Sequence, residues 1–316
     1  MRRLRHIALL LVAVLSMTCS PHEFPDAEEQ AFSLRILFDE EMPILPLKPS
    51  KVEDLAQPRY TLWVWRYEND SVFGDVPEYS RTFTRSALDE LETTVYLPVL
   101  PAKYRVAVWV DWAGGDAGPG YDLTDPRHIM LPSEFPTGER ARDAFALVTD
   151  YDLTDNLIVG ETYQQTVTLH RPVAQLRIVA PEALTFITAT GLDPTQLRAT
   201  LRYSDPIHDG YDILWGTLHN LRSGVVLTGT PRYDVSGELV FISDFLLFPD
   251  AVGSLPVKFT LTDASGRELI VTAGDIPLRA GHKTTVAFDK LRPGDYSSDG
   301  IGIQSAFDAE IEITIE

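Results

Sequence analysis

Lys103-Tyr104-Arg105-Val106-Ala107-Val108-Trp109-Val110-Asp111-Trp112 decides the fold class. Tyr104, Val106, Val108, Val110 and Trp112 recur at every second position, the period at which a strand turns successive side chains to opposite faces. A helix would need apolar residues three and four apart, and β-branched and aromatic residues at this density favour a pleated surface. The spacing predicts one long strand with one face in a core.

The same period continues on both sides. Phe32, Leu34, Ile36 and Phe38 alternate with Ser33, Arg35 and Leu37; 60–67 is rich in Trp and Val; 164–170 reads as another strand. Further on, Leu197, Ala199, Leu201 and Tyr203 oppose Arg198, Thr200 and Arg202, and Val257, Phe259 and Leu261 oppose Lys258, Thr260 and Thr262. In the last ten residues Phe307, Ala309, Ile311, Ile313 and Ile315 fall on one face, with Asp308, Glu310, Glu312, Thr314 and Glu316 on the other. A strand so amphipathic must be built into a sheet.

Turn chemistry separates these runs: Pro98 and Pro101, Gly114-Gly115, Gly118-Pro119-Gly120, Asp205-Pro206, Asp263-Ala264-Ser265-Gly266 and Pro293-Gly294. Short helices are expected only near 85–92 and 193–196. Short strands punctuated in this way predict an all-β protein of sandwich type rather than βα units.

At the N-terminus Arg2, Arg3 and Arg5 precede an apolar run from Ile7 to Leu15 and then Ser16-Met17-Thr18-Cys19. This is the pattern of a secretory signal, 1–18, and the apolar run is roughly half the length a membrane-spanning helix needs. Cys19 is the single cysteine of the chain, so the fold has no internal disulfide. Its place directly after the signal marks it as the thiol that receives diacylglycerol in a bacterial lipoprotein. Residues 19–30 are acidic, Pro-containing and poor in large apolar groups, and read as a solvated tether.

Removing 1–18 takes away three arginines and no acids, leaving 24 basic against 46 acidic residues, a net charge of −22. Such a surface repels phosphate backbones and excludes nucleic acid as a partner. The remaining length of about 298 residues suits two domains of about 140 each, and the boundary is placed at Arg171-Pro172: 31–170 and 171–316.

Val95-Tyr96-Leu97-Pro98 followed by the long strand ending in an aromatic–Asp pair, then Arg142-Asp143-Ala144-Phe145, and then 167–178 with its Arg171-Pro172 step, resemble in order the motifs of the fimbrillin superfamily of Bacteroidetes surface lipoproteins. With Cys19 and the terminal strand, the resemblance spans nearly the whole mature chain. Where that family carries a glycine before the tyrosine of its turn, Ala102-Lys103 stands here. The resemblance implies two tandem transthyretin-like sandwiches, a lipid anchor at the outer membrane, assembly with fimbrial subunits of the same system by strand exchange through Phe307, Ala309, Ile311, Ile313 and Ile315, and no catalytic residues.

The sequence carries few chemical signatures. The histidines are scattered and the one cysteine is committed, so no zinc pattern forms; P-loop, dinucleotide and Gly-x-Ser-x-Gly signatures are absent. No cofactor is expected, and only dispersed carboxylates of the glycosidase kind would leave no local motif. Asp111, Asp116, Asp122 and Asp125 in a Gly-rich segment suit a hard cation or a solvated loop, and Trp109 and Trp112 beside them suit a sugar-stacking platform or a core. Asp70-Ser71-Val72 fits a short O-glycosylation pattern that modifies Ser71.

Three functions remain. The first is a lipid-anchored fimbrial anchor or accessory subunit that accepts or donates a strand. The second is a free-standing adhesin binding host or bacterial glycans through Trp109, Trp112 and Trp215. The third is a polymerising stalk subunit matured by a trypsin-like cut, for which Arg35 is the first basic residue after Cys19.

Overall fold

A computed structural model of the chain describes residues 31–38, 56–69, 71–85, 92–114, 120–132, 142–158, 161–181, 183–234, 237–288 and 310–315. Cys19, Asp116, Phe307 and Ala309, with the expected signal, tether and helix at 86–91, lie outside them.

The protein is an all-β sandwich fold whose described strands form four sheets. The first sheet has the order β5 (Thr93–Leu97), β1 (Ala31–Phe38), β9 (Thr162–Leu169). β1 runs antiparallel to β5, with Phe32 opposite Leu97, and parallel to β9, with Ala31 opposite Thr162 and Phe38 opposite Leu169. The second sheet joins β3 (Val72–Phe73), β2 (Gln57–Asn69), β6 (Lys103–Ala113) and β8 (Ala144–Asp152), with β4 (Tyr79–Thr84) also on β2. Between them lies one core: Phe32, Leu34 and Ile36 of β1 with Leu62, Val64, Val106, Val108, Val110 and Trp112.

The third sheet has the order β13 (Thr217–Arg222), β12 (Ile207–Asp212), β16 (Leu239–Leu247), β10 (Val173–Ala180), β19 (Lys283–Phe288), β20 (Glu310–Ile315), with β15 (Arg232–Tyr233) beside β16. The fourth is β14 (Val226–Gly229), β11 (Arg198–Tyr203), β17 (Gly253–Thr262), β18 (Glu268–Leu278). Leu176, Ile178, Phe241, Leu201, Phe259 and Leu261 fill the core between these two. Every described strand up to β9 pairs within the first two sheets except β7 (Ile129–Met130), which crosses to β12.

The alternating runs become strands where expected, and Pro194–Gln196 forms a single 3₁₀ turn capped by Asp193, whose carboxylate accepts the Thr195 amide at 2.9 Å. Two readings are corrected. Helix α1 (Ala183–Thr190) replaces a stretch with no helical expectation, in a sequence with three Thr, a Phe and an Ile, residues that favour strands. β6 buries both faces: Tyr104, Val106, Val108, Val110 and Trp112 enter the first core, while Ala107 and Trp109 enter a second cluster on the opposite side. β2 does the same with Tyr60, Leu62 and Val64 on one face and Trp63 and Trp65 on the other.

Candidate functional site

The strand edges and the seam between the two sheet pairs place the functional side chains. At the seam, Trp63, Trp65 and Trp109 of the second sheet pack with Tyr121, Ile129, Val173, Ile213, Phe245 and Leu247. Inside this apolar layer sit paired charges. Arg171 donates to Asp143 through Nε at 2.8 Å and Nη2 at 3.2 Å, and its guanidinium lies 4.2 Å from the Phe145 ring centroid. Arg142 pairs with Asp244, which also accepts the Tyr203 hydroxyl; Arg142 Nε donates to the Phe245 carbonyl at 3.1 Å, and Tyr121 Oη donates to the Arg142 carbonyl at 2.7 Å. Burial holds the Tyr121 and Tyr203 hydroxyls above their ordinary pKa and pulls the Arg142 guanidinium down to about 10, so at neutral pH the arginine keeps its charge. The quoted Arg142-Asp143-Ala144-Phe145 and Arg171-Pro172 motifs thus meet in space.

Five side chains from the expected glycan or cation loop are engaged elsewhere. Trp109 is 0% and Trp112 2% exposed, so neither offers a face to a sugar. Asp111, also buried, accepts Arg59 Nε at 2.9 Å and Nη2 at 2.6 Å, and the Tyr121 amide at 2.9 Å. Burial pushes its carboxyl above the usual carboxylate range against the pull of Arg59. Gly120, at φ 71°, lets the chain pass close to this pair: a Cβ there would lie 3.0 Å from Arg59 Nη2, Asp111 Oδ2 and the Trp112 carbonyl. Asp122 is spent on the Thr124 amide and hydroxyl, at 3.0 and 2.6 Å, and Asp125 on the Arg127 amide and His128. These carboxylates brace turns and a strand pair instead of pooling around one ion, which corrects the cation reading for the described members. Ser71 lies in the exposed turn after β2, where Asn69 Oδ1 accepts its amide at 3.2 Å and its hydroxyl at 3.3 Å.

The edges behave differently. β1 and β10 hold equivalent places: each has an antiparallel neighbour, β5 or β16, and a parallel one, β9 or β19. On β19 a further parallel strand follows, β20, with Lys283 opposite Glu310 and Phe288 opposite Ile315. On β9 nothing follows among the described residues, apart from the bridge between His170 and Ala146 just past its end. β9 reads Thr-Tyr-Gln-Gln-Thr-Val-Thr-Leu, without the Lys, Pro or Gly that blunts a free edge.

Edge strands β4 and β5 flank a groove of about 570 Å³ lined by Arg81, Phe83, Arg85, Thr93 and Tyr96. Arg85 Nη1 spans it to Thr93 Oγ1 at 2.7 Å. Trp215, 64% exposed, lies elsewhere, with the Arg105 guanidinium 5.6 Å from its ring centroid. Arg35 sits inside β1, its backbone between Thr94 and Thr166, so a protease reaches it only if β1 leaves the sheet.

Reading along the chain missed Arg59, Tyr121, Tyr203 and Asp244. Asp244 carried a signal: it is the one charged residue in the apolar run of β16, Leu-Val-Phe-Ile-Ser-Asp-Phe-Leu-Leu.

A family model described as a family of unknown function, DUF6562, matches residues 27–316. The chain belongs to that family. No curated protein matches this DUF6562 chain. Among solved structures it is similar to a DUF1812 protein of Bacteroides thetaiotaomicron, at 14% identity over 77% of this chain and 80% of that one, TM-score 0.45. It is also similar to a fimbrial assembly protein of Parabacteroides distasonis, at 13% identity over 82% and 91%, TM-score 0.40. A third likeness is to the tip fimbrial protein of Porphyromonas gingivalis with a C-terminal truncation, at 12% identity over 78% and 81%, TM-score 0.34.

Proposed function

We propose that this protein is a cell-surface subunit of a fimbrial system: two tandem sandwiches, 31–170 and 171–316, held at the outer membrane by lipid on Cys19 and joined to a neighbouring subunit by β-strand complementation. The observation that carries the reading is the contrast at equivalent edges, where β20 covers β19 in parallel while β9 lacks such a strand among the described residues. A donated terminal strand adds main-chain hydrogen bonds along the open edge, and alternating side chains set its register. The chemistry matches: Ile311, Ile313 and Ile315 alternate with Glu310, Glu312 and Thr314, as Val167 and Leu169 of β9 alternate inward with exposed Thr166 and Thr168. In this reading the chain is an assembly module and catalyses nothing.

Deleting 307–316 is expected to remove the fimbrial subunit that co-purifies with the protein from detergent-extracted membranes. Unchanged co-purification sinks the strand-exchange role. Mass analysis of the native N-terminus tests the anchor separately, an acylated Cys19 being the expected result.

A glycan-binding adhesin is the second reading, and exposed Trp215 favours it, since an uncovered indole supplies a stacking face. Binding on a glycan array that survives deletion of 307–316 and is lost in Trp215→Ala would replace the first reading with this one.

A further inference from the structure

Donors scattered along the sequence meet where β7 stitches the two sheet pairs together. Gly210 of β12 lies opposite Met130 of β7 on one side and opposite His219 of β13 on the other. Residues directly opposite one another on neighbouring strands share a face. Over Gly210 the two side chains converge: a Cβ there would stand 2.3 and 2.4 Å from Cε1 and Nδ1 of His219 and 2.7 Å from Sδ of Met130. That places His219 Nδ1 at most about 5.1 Å from the thioether sulfur. His128, two residues before Met130, brings a second imidazole, its ring centroid 5.3 Å from that of His219. Two imidazoles can share one ion at this spacing, since each nitrogen needs to come within about 2 Å of it.

The surroundings suit metal binding. His128 Nδ1 is 2.9 Å from Asp125 Oδ2, the carboxylate–imidazole pairing that in metal sites orients the ring and leaves Nε2 as the ligand. His128 is exposed and gives an ion a path in. His219 Nε2 is buried without a hydrogen-bond partner. The next residue, Asn220, sets its side-chain nitrogen 3.0 Å from Met130 Sδ and is the one non-glycine among the described residues with positive φ, 52°. Backbone held in this region clusters at functional sites.

We propose that Met130 and His219, which meet over the bare backbone of Gly210, and His128 beside the His219 ring bind a single monovalent copper ion. Among the described residues no three His, Cys, Asp or Glu side chains gather as a metal site, which argues against zinc or calcium; here the third donor is a thioether. A soft thioether with imidazoles selects Cu(I) over hard divalent ions. β7 lies in the connection between β6 and β8 of the second sheet and pairs with β12 of the third, which also carries β13, so the bound ion fastens that connection to the third sheet.

Titration of the purified protein with Cu(I) against bicinchoninate under anaerobic, reducing conditions tests this. The protein is expected to withdraw one equivalent from the chelator, with Met130→Leu and His128→Gln each lowering affinity at least tenfold. Gly210→Ala keeps all three donors, yet its Cβ displaces the His219 ring and the Met130 sulfur, and it is expected to lose affinity by a similar factor. His128 is exposed and its variant folds normally, which far-ultraviolet circular dichroism checks. The X-ray absorption spectrum of the copper form is expected to contain a sulfur scatterer that disappears in Met130→Leu. No withdrawal of copper, withdrawal that none of these variants weakens, or equally tight zinc binding without a sulfur scatterer overturns the proposal.

Discussion

The seam between the sheet pairs and the outer edge of β9 lie at opposite extremes of completion. At the seam, Arg171 meets Asp143, Arg142 meets Asp244, and three tryptophans are sealed among aliphatic and aromatic side chains. Along β9, a run of Thr and Gln presents an unblunted edge that no described strand covers. The difference separates two uses of the same sheets. Residues at the seam fix the sheet pairs against each other, and residues at the edge are the ones that, in the proposed function, receive a strand from outside.

The comparison breaks most severely at Asp244. Asp244→Ala leaves Arg142 buried without its carboxylate and Tyr203 without its acceptor, and is expected to cost about 3–5 kcal/mol, the usual loss when one member of a buried pair is removed. Chemical denaturation reads this directly, and a loss under 1 kcal/mol would mean that the seam is not held by its charges. Trp109→Ala follows on apolar grounds, also about 3–5 kcal/mol, because the indole fills the layer against Tyr121 and Tyr211 at centroid distances of 5.1 and 5.6 Å. Were Trp109 a sugar platform, the substitution would instead spare stability.

Much of the fold was legible because period-two alternation survives wherever one face meets a core: β1, β6, β11 and β17 stand where Phe32, Val106, Leu201 and Phe259 recur at alternate positions. The second buried face of β6 was not, since Ala107, Trp109 and Asp111 between apolar neighbours fit a solvated face as well as a covered one. Only the partner sheets decide, and their Val173 and Phe245 lie far along the chain. The same distance hid Arg142 from Asp244 and His128 from His219. Helix α1 was invisible for a local reason: Ala-Leu-Thr-Phe-Ile-Thr-Ala-Thr carries strand-forming residues, so tertiary packing overrides propensity. Trp112 shows the converse: its period-two position placed it on the core face of β6, where the structure buries it, and of the two uses open to it the sugar platform falls.

At the edge the expected effect on stability is small and on assembly large. Gln164→Lys with Thr166→Lys puts two cations on exposed positions of β9, within about 0.5 kcal/mol of the parent in denaturation. The same charges guard an edge against strand addition. Retention of the partner subunit by this double variant, in the extraction that tests deletion of 307–316, would move the acceptor edge away from β9 and toward the groove beside β4 and β5.

The smallest expected effect separates surface charge from seam charge. Arg105 donates to Asp150 through Nε and Nη2, both at 2.8 Å, and Tyr67 Oη donates to the same carboxylate at 2.9 Å, yet Asp150 is half exposed. The hydrogen bond from Arg105, more than its charge, holds the Asp150 carboxyl below its ordinary range. A carboxyl with a depressed folded value stabilises the protein above its unfolded value of about 3.9 and loses that contribution as pH falls through the folded one. Asp150→Asn is therefore expected to cost under about 1 kcal/mol at pH 7, as exposed pairs do, and the gap to the parent should narrow as pH falls through the depressed folded value and the parent carboxyl takes up its proton. A gap that stays the same as the acid titration protonates the carboxyl would show that the side chain acts through packing. The distinction drawn between seam and surface would then rest on burial alone, without the ionisation of the carboxylates.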